Sequence, residues 1–196
     1  MKYLWAVVYL LTLVWSAIDP KDGFTWWLEV APALIGGAIL VSTFNSFRLS
    51  PLLYALILLH CIVLMVGAHY TYAEVPLFDS LQQWAGFERN NYDKLGHFMQ
   101  GLVPAMLARE ILIRKQVVNG SGWRNLFMVS VSLAFSALYE LIEWWVALAS
   151  GENAEAFLGT QGYVWDTQSD MGMALLGALV AVMFLGRLHD RQLEHV

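Results

Sequence analysis

The sequence predicts an all-α fold, namely a polytopic membrane protein built as a bundle of six transmembrane helices. Three observations predict it. Of the 196 residues, 58% are hydrophobic and 14% are charged, and the mean hydropathy of +0.53 is typical of an integral membrane protein. The apolar residues are gathered into six segments, each near the ~20 residues that cross a bilayer. The basic residues also lie mainly on one side of these segments.

The six predicted spans cover the chain from end to end. The first follows Lys2 and resembles a secretion signal, but it lacks a small-residue cleavage pattern and is expected to remain as a helix. The first and third spans are short for a bilayer. No loop is long enough for a second domain, so residues 1–196 are expected to form one transmembrane domain. The spans are 3–18, 24–44, 51–68, 93–113, 125–149 and 168–188.

The distribution of lysine and arginine predicts the orientation. With the N-terminus inside, eight basic residues lie on the cytoplasmic side and three lie outside, a bias that places both termini in the cytoplasm. The cytoplasmic set is Lys2, Arg48, Arg109, Arg114, Lys115, Arg124, Arg187 and Arg191, and the outer set is Lys21, Arg89 and Lys94. The loop 69–92 is expected to contain a short amphipathic segment on the outer membrane surface, because it carries the apolar residues Pro76, Leu77, Phe78, Leu81, Trp84 and Phe87.

The stretch 90–101 carries several polar groups into an apolar segment. Asp93 and His97 are four residues apart and would share one face of a helix. Such a pair can bind a cation, share a proton or form a simple ion pair. The structural alternative is an acid at a helix start that complements the helix dipole.

Two later spans also carry paired acids at their outer ends. Glu140 and Glu143 are three residues apart, and at ~1.5 Å per residue Glu140 would lie roughly 14 Å inside the helix end. Because a charged side chain in the membrane is costly, these acids are expected to face the bundle interior. Asp166 and Asp170 form a third pair, and the nearby Gly172 and Gly177 would allow a close helix contact. His69 directly follows the third predicted span and would lie at the same depth in the membrane as these acids.

These pairs are expected to converge with His69 beneath the outer surface. Five carboxylates would then face one lysine and two histidines, which favours an added cation or bound protons. The alternative is a self-satisfied ion network that only locks the bundle. The single cysteine, Cys61, excludes a cysteine-rich metal site.

These residues also resemble a known family. The segments 69–72, 92–98, 140–144 and 165–171 resemble YjdF-type bacterial inner-membrane proteins, a family of unknown function, which implies a multi-pass protein of the bacterial inner membrane. More distantly, Asp93-Lys94 with His97-Phe98, a later Glu and an acidic pair look like the VanZ-like family associated with teicoplanin resistance. There the final polar position is usually Asn, whereas here it is Asp170.

Three functional hypotheses follow. The first is a metal-dependent enzyme that acts on a lipid or cell-envelope substrate and holds one or two divalent ions such as Zn, Mn or Fe. The second is a proton- or cation-coupled transporter, and the third is a structural membrane protein. No HExxH or GxSxG motif supports the enzyme. We expect contact with membrane lipids, no nucleic-acid partner, and an oligomer as one option.

The enzyme hypothesis assigns a role to each candidate residue. Glu140 and Glu143 are the predicted catalytic bases. The tryptophans among the substrate-binding candidates are also typical of an aromatic belt at the membrane interface. The predicted metal ligands are His69, Asp93, His97, Asp166 and Asp170, and the predicted substrate-binding residues are Tyr70, Lys94, Gln100, Trp144, Trp165 and Gln168. His60 is expected to bond between helices, and His189 and His195 are expected to face solvent.

Overall fold

The computed structural model describes residues 2–150 and 155–194, and the regular structure in these two ranges is entirely helical. The all-α prediction is confirmed. His195 lies outside the described residues. A π-helical turn, Ala181–Leu185, joins the last two helices into one continuous helix. The helices are α1 (Lys2–Ser16), α2 (Gly23–Thr43), α3 (Pro51–Tyr70), α4 (Pro76–Ala85), α5 (Tyr92–Arg114), α6 (Ser121–Ser150), α7 (Glu155–Leu158), α8 (Asp166–Val180) and α9 (Gly186–Leu193).

Four of the helices are long and apolar enough to cross a membrane. They are α2, α3, α6 and the continuous helix formed by α8 and α9. Each of the six predicted spans is helical, but α1 has only 15 residues, and α5 carries charged residues at both ends. The count of six spans therefore stays a prediction.

The polar composition of α5 has a structural reason. This helix packs against α3, α6 and α8, which cover it on several sides. It buries polar groups such as His97 and Glu110 together with apolar groups such as Met99 and Met106. A helix enclosed by other helices does not have to present an apolar surface to lipid. A hydropathy criterion can therefore fail to identify such a helix as a membrane span.

Small residues allow the backbones of α5 and α8 to contact each other directly. A Cβ atom on Gly177 would collide with the carbonyl oxygen of Phe98, and one on Gly101 would collide with the carbonyl of Ala174. The predicted role of Gly177 in close helix packing is confirmed. Gly172 has open space around its Cα, so its predicted role in this contact is wrong. The close contact sets the first turn of α8 beside the first turn of α5.

Gly177→Ala is expected to destabilise the protein by about 1–3 kcal/mol, because the added methyl group forces two backbones apart. Gly172→Ala is the matched control on the same helix. It is expected to leave stability unchanged or to raise it by about 0.5–1 kcal/mol, since alanine is the better helix former. Unfolding in detergent measures both variants, and equal behaviour of the two would contradict the close contact.

The turn between α1 and α2 is tied to the end of α3. Asp22 caps α2 by accepting a hydrogen bond of 2.6 Å from the Thr25 N–H, and this bond lowers the pKa of the Asp22 carboxyl. The Lys21 N–H donates to the His69 carbonyl at 3.0 Å, and the Lys21 side chain pairs with Glu74. The loops at this end of the bundle are therefore joined to one another.

The loop 69–92 contains the expected amphipathic segment as α4. Leu77, Leu81 and Trp84 are exposed along this helix, whereas the Phe78 ring packs edge-on against Tyr92 at 5.0 Å. Pro76 begins the helix, and Gly86 ends it in the left-handed conformation. Its contact with a membrane surface stays a prediction.

Candidate functional site

The start of α5 is held by a buried asparagine. Asn90 accepts a hydrogen bond from the Tyr92 N–H at 3.0 Å, and its amide donates to Asp79 of α4 at 2.7 Å. The Gln161 side chain bonds to the Asn90 backbone in both directions, at 2.8 and 3.0 Å. These bonds link α4, the loop before α8 and the first turn of α5, which carries Asp93.

An ion network joins the first turns of α5 and α8. The Lys94 ammonium lies 2.9 Å from Asp166 and 2.6 Å from Asp170. Arg89 pairs with Asp166 and lies 3.7 Å from Asp93. The predicted convergence of Asp93, Asp166 and Asp170 is thus observed. Lys94 holds two of these acids, and its predicted role in substrate binding stays a prediction.

His97 lies at the centre of this polar group. Its Nε2 atom is 3.2 Å from Asp93 Oδ1 and 3.9 Å from Asp170 Oδ1. Its Nδ1 atom is 3.0 Å from Gln100 Oε1 and 3.8 Å from Glu140 Oε1. Both ring nitrogens face acceptor oxygen atoms, so either nitrogen can donate an N–H to its neighbour and the ring can exchange a proton on either side.

Three of these side chains form a donor set suited to a metal ion. One ligand atom each from Asp93, His97 and Asp170 lies within 4.8 Å of the other two. One imidazole and two carboxylates suit Mn²⁺, Fe²⁺ or Zn²⁺. Glu140 Oε1 is buried beside His97 and has no hydrogen-bond partner among the described residues, so a further oxygen donor is available. The residues present therefore fit a divalent cation.

The predicted catalytic acids continue this site into the bundle. Glu140 is buried, and the Thr167 side chain at the start of α8 lies beside its carboxylate. Glu143 is half-buried and interacts electrostatically with Glu140. The predicted inward orientation of Glu140 is confirmed.

Glu29 is a site residue that sequence reasoning missed. It is buried on α2 and accepts a hydrogen bond of 3.2 Å from the Tyr139 hydroxyl. It interacts electrostatically with both Asp93 and His97. In the sequence, Glu29 is a single acid inside the second predicted span, and no second acid lies three or four residues away from it.

The structure places His69 in different surroundings from His97. The Nδ1 atom of His69 is 3.2 Å from the Ser16 carbonyl, and its ring packs against Trp15 at 4.6 Å and Tyr70 at 4.5 Å. The convergent donor set in the described part of the chain does not include His69. The end of α1 holds this side chain, so the prediction that His69 joins the site is not supported by its contacts.

The remaining predicted substrate-binding residues lie at different places. Gln100 contacts His97 directly, whereas Trp144, Trp165 and Gln168 are exposed. A groove of about 370 Å³ opens beside Asp166 between residues 160 and 167. The Tyr163 ring lines it and is approached by the cations of Arg89 and Lys94 at 5.8 and 5.7 Å.

A second buried polar cluster lies at the other end of α5. Glu110 accepts hydrogen bonds from the Ser50 N–H at 3.0 Å, from Arg114 at 2.7 Å and from His189 at 2.9 Å. Arg109 lies 2.8 Å from His189 Nδ1. Because arginine can only donate, Nδ1 accepts this bond and Nε2 donates to Glu110.

The prediction that His189 faces solvent is wrong, because its relative exposure is 0%. The cluster fastens α9 to α5 and to the start of α3. Arg109 also pairs with Asp190 of α9 at 2.7 Å. Because most residues after 186 are polar, the sequence predicts an exposed segment there rather than the observed contact of α9 with α5.

Comparison with known proteins decides the family. The sequence model of a family described as "Predicted membrane protein (DUF2238)" matches residues 1–191. The chain belongs to this family. It is also 55% identical over 189 residues to the inner membrane protein YjdF of Escherichia coli K12, a match that covers 96% of this chain and 90% of that protein. No solved structure matches the chain.

Membership of this family confirms the predicted YjdF-type resemblance and the location. The protein is a multi-pass protein of the bacterial inner membrane, since its relative is an inner membrane protein and the chain has several apolar helices of sufficient length. The more distant VanZ-like resemblance stays a prediction.

Proposed function

We propose that this six-span protein binds a divalent metal ion at its periplasmic side and acts there on a lipid or cell-envelope substrate. The observation that carries the proposal is the convergence of Asp93, His97 and Asp170 within 4.8 Å. An open groove is lined by Asp166, which shares the Lys94 ammonium with Asp170. Buried ionisable groups inside a membrane bundle are costly and usually mark a functional site.

The proposed orientation places both termini in the cytoplasm and the metal site at the outer side. It rests on the excess of lysine and arginine at the opposite end of the bundle. There Arg48, Arg114 and Lys115 lie together near Phe47. The groove beside Asp166 would then open toward the periplasm.

Each residue has a proposed role. Asp93, His97 and Asp170 would hold the ion, which would supply Lewis-acid polarisation of a substrate oxygen. Glu140 has a buried, unpaired oxygen next to His97 and is the proposed proton acceptor. Tyr163 lines the groove where a substrate would approach this group.

Metal analysis of the purified protein tests the proposal. We expect about one Mn²⁺, Fe²⁺ or Zn²⁺ per chain, and we expect His97→Ala to lower metal affinity about tenfold or more, since it removes a direct ligand. His69→Ala is the matched control, because it removes an imidazole at the same end of the bundle that lies outside the donor set. Its metal content should equal that of the parent.

Two results would contradict the proposal. One is a parent protein that stays metal-free after incubation with each of the three ions. The other is an equal loss of metal in His97→Ala and His69→Ala, which would show that the donor set is not the binding site. Folding of both variants is checked by thermal unfolding in detergent.

A second candidate function is proton- or cation-coupled transport. The contact between Glu29 and Tyr139 favours it, because it extends the acidic group from α5 and α8 to α2. Proton-coupled flux in liposomes that disappears with Glu140→Gln would support transport over catalysis.

A further inference from the structure

Three cations converge on two aromatic rings where α2 and α5 end. The Arg114 guanidinium lies 4.0 Å and the Lys115 ammonium 5.4 Å from the centre of the Phe47 ring. The Arg48 guanidinium lies 5.4 Å from the centre of the Phe44 ring. We call Arg48, Arg114 and Lys115 the basic patch. It lies at the opposite end of α5 from the candidate metal site.

The basic patch carries an unbalanced positive charge. Arg114 is paired with Glu110 at 2.7 Å and donates to the Arg48 carbonyl at 2.5 Å. Arg48 and Lys115 are exposed, and no carboxylate in the described part of the chain lies within ion-pair distance of either. Arg48 and Lys115 therefore carry positive charge that the described residues do not neutralise, and a bound anion would supply the missing counter-charge.

The surroundings of the basic patch indicate what kind of anion it binds. Val41 in the last turn of α2 is 80% exposed, and Ile111 in the last turn of α5 is 40% exposed. Val41 and Ile111 precede the cations along α2 and α5, and α2 is long and apolar enough to span the bilayer. A ligand that contacts both regions has a negatively charged head and a hydrocarbon chain.

We infer that the basic patch binds the phosphate of an anionic phospholipid. Arg48 and Lys115 would contact the phosphate, while Phe44 and Phe47 hold the cations at headgroup level. The acyl chains would lie along the exposed apolar side chains at the ends of α2 and α5. Free inorganic phosphate shares the headgroup chemistry but has no group for the apolar surface. This site is independent of the proposed metal centre.

Thermal unfolding of the purified full-length protein in detergent tests the inference. The probes are phosphatidylglycerol, phosphatidylethanolamine and inorganic phosphate at equal phosphate concentration. We expect phosphatidylglycerol to raise the Tm of the parent by several degrees, and the other two probes to have little effect. The double variant Arg48→Gln/Lys115→Gln should lose most of this shift.

Lys21→Gln is the control, because it removes an exposed cation at the other end of the bundle. It should keep the full phosphatidylglycerol shift. An equal shift with inorganic phosphate or with phosphatidylethanolamine would overturn the assignment to an anionic lipid. A full shift in the double variant would overturn the assignment to this patch. Both substituted side chains are exposed, so the double variant is expected to fold, and its Tm without lipid verifies this.

Discussion

Replacing Glu110 by alanine is expected to lower the free energy of unfolding by about 3–5 kcal/mol, because it breaks a buried ion pair and leaves its partners unsatisfied. The Glu110 carboxylate is fully buried and accepts hydrogen bonds from Ser50, Arg114 and His189. Without it, a buried backbone N–H and the His189 N–H have no acceptor. Unfolding of the detergent-solubilised protein measures the loss.

Glu74→Ala is the matched control for this variant. Glu74 also forms an ion pair, with Lys21, but its side chain is 56% exposed. Exposed pairs contribute about 0–1 kcal/mol, so Glu74→Ala should change stability little. If Glu110→Ala unfolds no more readily than Glu74→Ala, the cluster does not hold α9 in place.

The helices could be predicted from the sequence because a run of apolar residues reports directly on a membrane-spanning segment. The predicted bounds differ from the observed ones by a few residues at most ends. For example, α6 begins at Ser121 rather than at residue 125, since the first turn of a helix is polar and does not raise the hydropathy. The number of spans is harder to predict, because α5 is covered by its neighbours and carries charges.

The acid pairs could also be predicted, because spacings of three or four residues place two side chains on one helix face. Asp93 with His97, and Asp166 with Asp170, come together in this way. Glu29 and Glu110 have no acidic partner at such a spacing. Glu110 pairs with Arg114 four residues along its own helix, but the contacts of Glu29 with Tyr139 and of Glu110 with His189 are made between helices. A single sequence carries no signal for these contacts.

His69 shows a different limit of sequence reasoning. The end of α3 lies at the same end of the bundle as the start of α5, as predicted, but a hydropathy pattern gives only the depth of a residue and not its position around the bundle. The position is set by which helix packs alongside. For His69 that helix is α1, whose Ser16 carbonyl and Trp15 ring contact the imidazole.

Lys94→Met is expected to give the second large loss of stability. The variant also distinguishes a metal-binding site from an ion network that is only structural. The substitution keeps a flexible apolar side chain and removes the ammonium that pairs with Asp166 and Asp170. Because Asp170 is 2% exposed, loss of its closest counter-charge is expected to cost about 3–5 kcal/mol. The cost is measured by unfolding in detergent without added metal.

Added Mn²⁺ should reverse part of this loss. The Lys94 ammonium lies 2.6 Å from an Asp170 oxygen, so it competes with a cation for one of the three candidate ligands. With the ammonium gone, Mn²⁺ is expected to bind more tightly than in the parent and to raise the Tm of the variant by more. Lys21→Met is the control, since Lys21 pairs with the exposed Glu74 and should not alter the response to Mn²⁺.

The response of Lys94→Met to Mn²⁺ discriminates between the two interpretations of the site. If the variant is destabilised and Mn²⁺ restores it, the acids around His97 can hold a cation and Lys94 limits its access. If the variant is destabilised and Mn²⁺ has no effect, Lys94 is itself the cation that the acids require. The network would then be structural, as Glu110 and its partners are at the other end of α5.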